Sequence, residues 1–344
     1  MKIKIYLLIM TTLLCVQSLS ADDILRVVSY NLENLFDYEK DSVSDDGSFT
    51  PEGEHQWDKK KYWRKLNNLS RAITAAGEWH TPALIGLCEV ENARVVKDLL
   101  YHTQLKECHY QFVHKDSPDR RGVDVALAYL PNQFKILSKE FIHVKIEGEK
   151  PTRDILYASG KLINGDTLHV FVNHWPSRYG GELESKWKRI TAAEILREKT
   201  DSLFTLNKKT KIIIMGDFND YPDDESLLQG LCAGEPLKNS NKNVIFDQLY
   251  NLCYPIHEIG EEGSHKFGGK WGMLDQLIVS GALLHPGEST YTSPEMMNIC
   301  KESFLLKESA TGPSPKRSFL GTFFAYGFSD HLPVFVDLII RNEE

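Results

Sequence analysis

The stretch KIIIMGDFND, Lys211 to Asp220, decides the fold. Four apolar residues, Ile212 to Met215, read as a strand buried on both faces; Gly216 then lets the backbone turn, and Asp217 and Asn219 emerge at the end. Strand ends of this kind carry the chemistry of α/β enzymes. A carboxylate and an amide oxygen two residues apart suit a hard divalent cation with a polar reacting group beside it. Taken alone, the pattern equally describes an ordinary strand followed by an Asp/Asn turn. The rest of the chain separates the two readings.

With 344 residues, 42% of them hydrophobic, the chain can bury a large core. No Pro/Ser/Gly-rich linker divides it and no internal repeat is visible, so one domain is expected over residues 22–344. Residues 1–21 differ: Lys2 and Lys4 precede an apolar run from Ile5 to Val16, and small residues follow at Ser18, Ser20 and Ala21. This is the pattern of a secretory signal cut after Ser20 or Ala21, and the run is too short to span a bilayer comfortably. A soluble, monomeric, secreted or periplasmic protein without a stable membrane span is expected. Five cysteines then remain, Cys88, Cys108, Cys232, Cys253 and Cys300; export permits disulfides, with Cys232–Cys253 the suggested pair, and no spacing indicates zinc. The net charge of −8 argues against a protein that coats nucleic acid through a global positive field, while leaving room for a local basic groove.

Other apolar runs end in the same way. A strand beginning at Ile24 delivers Asn31 and Glu33; a helix follows Trp57 with Tyr62, Leu66, Leu69 and Ile73 on one face; TPALIGLCEVEN supplies a strand ending at Glu89 and Glu91. Strand, helix, strand is the right-handed crossover unit. A strand from Val123 to Leu130 follows a polar loop holding Lys115, Arg120 and Arg121. A hairpin turning at Asn164 and Gly165 ends on Asn173 and His174. A helix starting near Glu182 is expected to turn Leu183, Trp187, Ile190 and Ala193 inward, with Lys186, Lys188 and Arg189 forming either a solvated face or part of a groove. MLDQLIVS carries Asp275 near its start, and Asp330 and His331 stand just before a final strand. Many strands, few helices and a hairpin indicate mixed sheets.

Each of Asn31, Glu89, His174, Asp217, Asn219, Asp275, Asp330 and His331 is a weak signal by itself. Their repetition is not: strand after strand ends in carboxylate, amide or imidazole, and no G-x-S-x-G elbow, P-loop or G-x-G-x-x-G offers a rival chemistry. Phosphoester cleavage needs an activated water, neutralised phosphoryl oxygens and help for the leaving oxygen. Carboxylates that hold Mg²⁺, an Asp–His pair and phosphate-binding amides supply these.

The pieces YNLEN, LCEVEN, VNHWPSR, GDFND, LDQLIVS and SDHLP, in this order, resemble the endonuclease/exonuclease/phosphatase family from about Ile24 to Ile340. The resemblance implies a four-layered α/β sandwich, two packed mixed β-sheets flanked by helices, with the site at one end. It implies Mg²⁺ (Mn²⁺ or Ca²⁺ as substitutes) held by Glu89 with Asn31 close by and Asp330 near the metal. It also implies that Asp217 and Asn219 position water and phosphate, that Asp275 orients His331, and that His174 binds phosphate or assists the leaving group. Which of Asp217, His174 and His331 is the base is left open. Arg121 and Arg178 are the candidate phosphate contacts, with structural salt bridges as the competing reading. Trp175, Arg178 and Gln276 depart from the family pattern and are expected to bear on substrate choice, and Glu33 and Glu91 are expected to face solvent. The expected activity is metal-dependent phosphodiester hydrolysis: an endonuclease with nucleic acid as substrate, helped by a local groove of Lys115, Arg120, Arg121, Arg178, Lys186 and Arg189. The alternative is a phosphatase or phosphodiesterase for a small or lipid-borne phosphate, which the net acidity favours.

Overall fold

A computed structural model describes residues 22–41, 45–235 and 244–341. The segment expected to be a secretory signal, residues 1–21, lies outside these. In chain order the principal elements are β1 (Asp23–Leu35), α1 (Lys59–Gly77), β2 (Leu84–Val90), α2 (Ala93–Tyr101), β3 (Gln111–His114), β4 (Asp124–Tyr129), β5 (Phe134–Ile142), β6 (Ile155–Leu162), β7 (Thr167–His174), α3 (Glu182–Leu206) and β8 (Lys211–Asp217). Then come β9 (Ala233–Gly234), β10 (Leu249–Asn251), α4 (Tyr254–Ile259), β11 (His265–Phe267), β12 (Lys270–Gly272), β13 (Asp275–Ser280), β14 (Thr290–Tyr291) and β15 (Met297–Ile299). A C-terminal strand, Val334–Ile340, closes the described chain.

Two seven-stranded mixed sheets form the body. The first runs β14, the C-terminal strand, β1, β2, β4, β3, with β15 also on the C-terminal strand; the second runs β5, β6, β7, β8, β13, β10, β9. In the first, β1 and β2 are parallel and α1 makes the crossover between them; in the second, β7 and β8 are parallel, joined by α3. The hairpin turn at Asn164 and Gly165 joins β6 to β7 as read from the sequence.

The unbroken apolar run of β8 has a simple cause. Ile213 and Met215 point into the core shared by the two sheets, whereas Ile212 and Ile214 join Phe171, Ala192, Ala193 and Leu196 under α3. Successive side chains alternate between faces, and both faces are covered. Between the sheets, Gly86 of β2 leaves room for Met215: a Cβ there would stand 2.6 Å from the Met215 sulfur. On the other side α1 packs Tyr62, Leu66, Leu69 and Ile73 against the first sheet, and α2 adds Val95, Val96 and Leu99. The order helix, sheet, sheet, helix is the four-layered sandwich. Asp58 and Asn92 cap α1 and α2 by accepting backbone N–H groups of their first turns.

Two expectations need correction. The inner face of α3 is Ser185, Arg189, Ala192, Ala193, Leu196, Thr200 and Phe204, while Leu183 is 78% exposed and Trp187 43%. The stripe is displaced because Arg189, charged yet wholly buried, pairs at 2.7 Å with Asp220, which follows β8. Cys232 and Cys253 are both free: Cys253 is buried with its sulfur accepting from Leu277 N at 3.3 Å, and Cys232 is exposed. Among the described residues no helix is long and apolar enough to cross a membrane.

Candidate active site

Pairing register assembles the site. His174 at the end of β7 lies opposite Asp217 at the end of β8, and Asp217 lies opposite Asp275 at the start of β13. Three reactive side chains thus stand in one row across the second sheet. The row requires Gly216: its φ is +140°, and a Cβ there would lie 1.9 Å from the Asn173 carbonyl oxygen of the neighbouring strand. From the first sheet, Asn31 of β1 reaches across and donates to Asp217 Oδ2 at 2.9 Å.

Glu89 is placed by strain. The register between β2 and β4 shifts between Cys88 and Val90, and Glu89 sits in that bulge with φ +63°. Its Oε2 accepts from Asn34 N at 2.6 Å, while Oε1 faces His174 Nε2 at 3.8 Å. Asn219, also at positive φ (+53°), donates its backbone N–H to Asp217 Oδ1 at 2.9 Å and its side-chain N–H to Trp175 O at 3.1 Å. Asp275 Oδ2 meets His331 Nδ1 at 2.6 Å. Ser329 sets the position of that histidine: its hydroxyl donates to Asn31 O at 2.7 Å and accepts from His331 N at 3.1 Å. His174 Nε2 and His331 Nε2 both stand 3.9 Å from Asp217 Oδ2, too far for a direct hydrogen bond.

The two histidines differ electrically. Burial, with Arg153, Arg121 and His331 nearby, holds the His174 pKa well below the ordinary imidazole range, so this ring is neutral. His331 is also buried, which opposes charge, but Asp275, Asp217 and Asp330 outweigh burial and raise its pKa well above ordinary. Asp217 is pushed up to about 7, by burial first and then by Asp275, against the opposing pull of His331.

The donor set fits a divalent cation. No lysine or arginine pairs with Glu89, Asp217 or Asp275 among the described residues, and Asp275 Oδ1 is buried without a hydrogen-bond partner. Asp217, Asp275 and His331 offer ligand atoms within 4.8 Å of one another. An excess of buried carboxylate over buried cation is what a hard divalent ion would compensate.

The structure brings together Asn31, Glu89, His174, Asp217, Asn219, Asp275 and His331, all read from sequence. Arg121 lies at the rim with Nη2 3.4 Å from Asn34 Oδ1. The other readings change. Arg178 is a brace: it donates to Asn219 O at 2.7 Å, pairs with Asp224 at 2.7 Å, Asp220 at 3.2 Å and Glu182 at 2.9 Å, and lies over the Tyr221 ring. Its nitrogens are committed. Asp330 neighbours His331: its Oδ2 pairs with Arg317 at 2.7 Å, and it offers a ligand atom within 4.8 Å of those of His265 and His331. Trp175 and Gln276 are wholly buried; the Gln276 amide donates to Asp220 O and Met273 O and accepts from Asn251, so neither residue faces a substrate. Glu33 and Glu91 are buried, not solvated: Glu33 accepts from the backbone of Ser318 and Phe319, and Glu91 from Asp37 N. Of the suggested groove, Arg189 is buried on Asp220, Lys186 pairs with Glu225 and Lys115 with Asp154.

Two positioning residues carried no sequence signal. Arg153 donates to His174 O and Trp175 O and pairs with Asp119 at 2.8 Å, bracing the loop after β7. Lys65, wholly buried on the apolar face of α1, donates to Glu33 O. Beside the row opens a cleft of about 810 Å³ lined by Arg120, Arg121, Lys150, Arg153, Tyr179 and Lys188 among others.

A model of the endonuclease/exonuclease/phosphatase family matches residues 26–340. No curated protein matches the chain in a sequence search. Among solved structures, the human Nocturnin catalytic domain with bound sulfate is 17% identical, with a TM-score of 0.54 over 92% of this chain and 97% of that one. TDP2 of D. rerio in complex with a single-strand DNA product is 14% identical, TM-score 0.54, over 92% and 99%. A mannosyl-6-phosphatase of Bacteroides thetaiotaomicron is 18% identical, TM-score 0.53, over 92% and 100%. These identities bear on the fold alone. Sandwich topology, the convergent row and a family match across nearly the whole chain give one conclusion: the protein belongs to the endonuclease/exonuclease/phosphatase family, whose members are metal-dependent phosphoesterases.

Proposed function

We propose that the protein is an exported, Mg²⁺-dependent phosphodiesterase that cuts nucleic acid internally. The observation that carries this reading is the cleft whose lining includes Arg121, at the rim of the catalytic row, and Arg153, which braces the loop after His174. Arg120, Arg121 and Lys150 line it without an ion-pair partner among the described residues, and Tyr179 stands 93% exposed at its wall. Free cations beside an exposed aromatic ring suit a chain of phosphates with bases to stack. One phosphate monoester would use a small part of about 810 Å³.

In this reading Glu89 and Asn31 would hold the cation, which when bound would supply charge neutralisation at the phosphoryl oxygens and make a water more acidic. Asp217, fixed by Asn31 and Asn219, aligns the attacking water. His331, charged and oriented by Asp275, contacts the scissile phosphate; His174, neutral, donates a hydrogen bond on the leaving side. Arg121 grips the adjoining phosphate. Export rests on the signal pattern of residues 1–21.

The second reading is a phosphatase or phosphodiesterase for a small phosphate, such as a sugar or inositol phosphate. The net charge of −8 favours it, and the mannosyl-6-phosphatase has a similar fold. Incubation of the purified protein with Mg²⁺ and, separately, plasmid DNA, RNA, inositol phosphates and sugar phosphates decides between them, with Asp217→Ala as the control. Nicked and linear plasmid is the expected product. Intact polynucleotides beside released phosphate from a small ester would transfer the assignment to the second reading.

A further inference from the structure

We propose that His114, Asp116 and Asp124 form a second divalent-cation site, separate from the catalytic row, that takes a transition metal of the zinc class and fastens the loop carrying Arg121. This goes beyond the phosphoesterase reading and does not depend on it.

The three residues bracket the loop between β3 and β4: His114 ends β3, Asp124 starts β4, and Asp116 lies just inside the loop. Each offers one ligand atom, and the three atoms lie within 4.8 Å of one another. Ligand atoms about 2.1 Å from a shared ion stand roughly 3 to 3.5 Å apart when adjacent, so small side-chain movements close this set around one ion.

The posture of His114 is the independent sign. Its side chain is 1% exposed, and Nδ1 faces the Val125 carbonyl at 3.1 Å. A carbonyl can only accept, so a neutral ring carries its proton on Nδ1 and presents a lone pair at Nε2. That Nε2 points at Asp116 Oδ1, 3.0 Å away. In that tautomer two acceptors face each other, so either a second ring proton, giving an imidazolium–carboxylate pair, or a metal ion has to lie between them. An imidazole anchored through Nδ1–H to a backbone carbonyl, with Nε2 turned toward carboxylates, is the usual arrangement of a metal-binding histidine.

Among the described residues no lysine or arginine pairs with Asp116 or Asp124, although Lys115, Arg120 and Arg121 lie in the same loop. Asp124 is 3% exposed, and the hydrogen bonds it accepts, from the Ser117 backbone and hydroxyl, both fall on Oδ1. Imidazole with two carboxylates suits Zn²⁺, Co²⁺ or Mn²⁺ better than Mg²⁺, which prefers an all-oxygen shell. The loop so fastened includes Asp119, the partner of Arg153, and Arg121 at the catalytic rim. An ion here would hold both in place.

The test uses Co²⁺, whose visible absorption reports an imidazole ligand, on full-length metal-free protein carrying Glu89→Gln and Asp217→Asn to silence the catalytic end. One Co²⁺ per chain is expected, with a d–d band. His114→Ala should abolish it, and Asp116→Asn, at a 77% exposed side chain where folding is not at stake, should weaken binding at least tenfold. Trypsin cleavage after Arg120 and Arg121 should slow when Co²⁺ or Zn²⁺ is added to the parent and not when it is added to the Asp116→Asn variant. Absence of bound Co²⁺ in the parent, as a simple imidazolium–carboxylate pair would give, overturns the proposal. So does unchanged stoichiometry and affinity in Asp116→Asn.

Discussion

At the residue scale, the site depends on a few contacts with clear consequences. Asp217 receives Asn31 and Asn219 hydrogen bonds and faces both histidines. Replacing it by Asn retains its shape and removes its charge, and should lower turnover about 10²- to 10⁴-fold with little change in melting temperature. Retention of more than a tenth of wild-type activity would remove Asp217 from the mechanism. Glu91 supports a prediction about stability. Burial first, and the nearby Asp37, Asp46 and Asp41, push its pKa up to about 8 from 4.5. The folded state therefore holds a proton that the unfolded state releases, so this contribution is complete below about pH 4.5 and is lost as pH rises toward 8. Glu91→Gln can still accept from Asp37 N and should melt higher than wild type at pH 8, with a flatter profile between pH 5 and 8. Parallel profiles for the two proteins would show that Glu91 does not titrate in this range.

At the element scale, β8 is held to β7 by a close backbone approach at Gly216 and to α3 by the buried Arg189–Asp220 pair. A Cβ at Gly216 would meet the Asn173 carbonyl oxygen at 1.9 Å in a backbone conformation that L residues rarely adopt. Gly216→Ala should cost about 2–4 kcal/mol by denaturant unfolding and displace the row of His174, Asp217 and Asp275. Arg189→Leu leaves Asp220, whose burial already favours its neutral form, with Arg178 as its remaining cation, and should cost about 3 kcal/mol, the low end for a broken buried pair. A loss below about 1 kcal/mol in either variant would mean the neighbouring strand or helix relaxes around the change. Much of this scale is legible in the sequence. Four apolar residues in β8 require cover on both faces, and Tyr62, Leu66, Leu69 and Ile73 mark the inner face of α1. The α3 face is not legible, because a buried arginine looks polar in sequence and its partner Asp220 is distant along the chain.

At the scale of the whole molecule, a chain of net charge −8 places three cations without an ion-pair partner among the described residues, Arg120, Arg121 and Lys150, in one cleft. If the substrate is a polynucleotide, cleavage should fall steeply with salt. Arg121→Ala combined with Lys150→Ala should reduce the log–log slope by about 2, near 0.9 for each phosphate that is no longer neutralised. A flat salt response in the wild type would favour a small phosphoester, because a single bound phosphate releases few counterions.

The sequence by itself determined mixed sheets, the first strand–helix–strand crossover and seven of the residues that converge, because apolar periodicity and strand-end chemistry are local properties written in adjacent positions; the sandwich followed from the family resemblance of the motifs. Tertiary structure alone decided which polar groups are free to act. Arg178 and Arg121 look alike in sequence, yet one is spent on Asp220, Asp224 and Glu182 while the other stands at the rim. Glu33 and Glu91 follow the same rule: whether a carboxylate meets solvent, a backbone N–H or a cation depends on partners brought from far along the chain, and only the folded register supplies them.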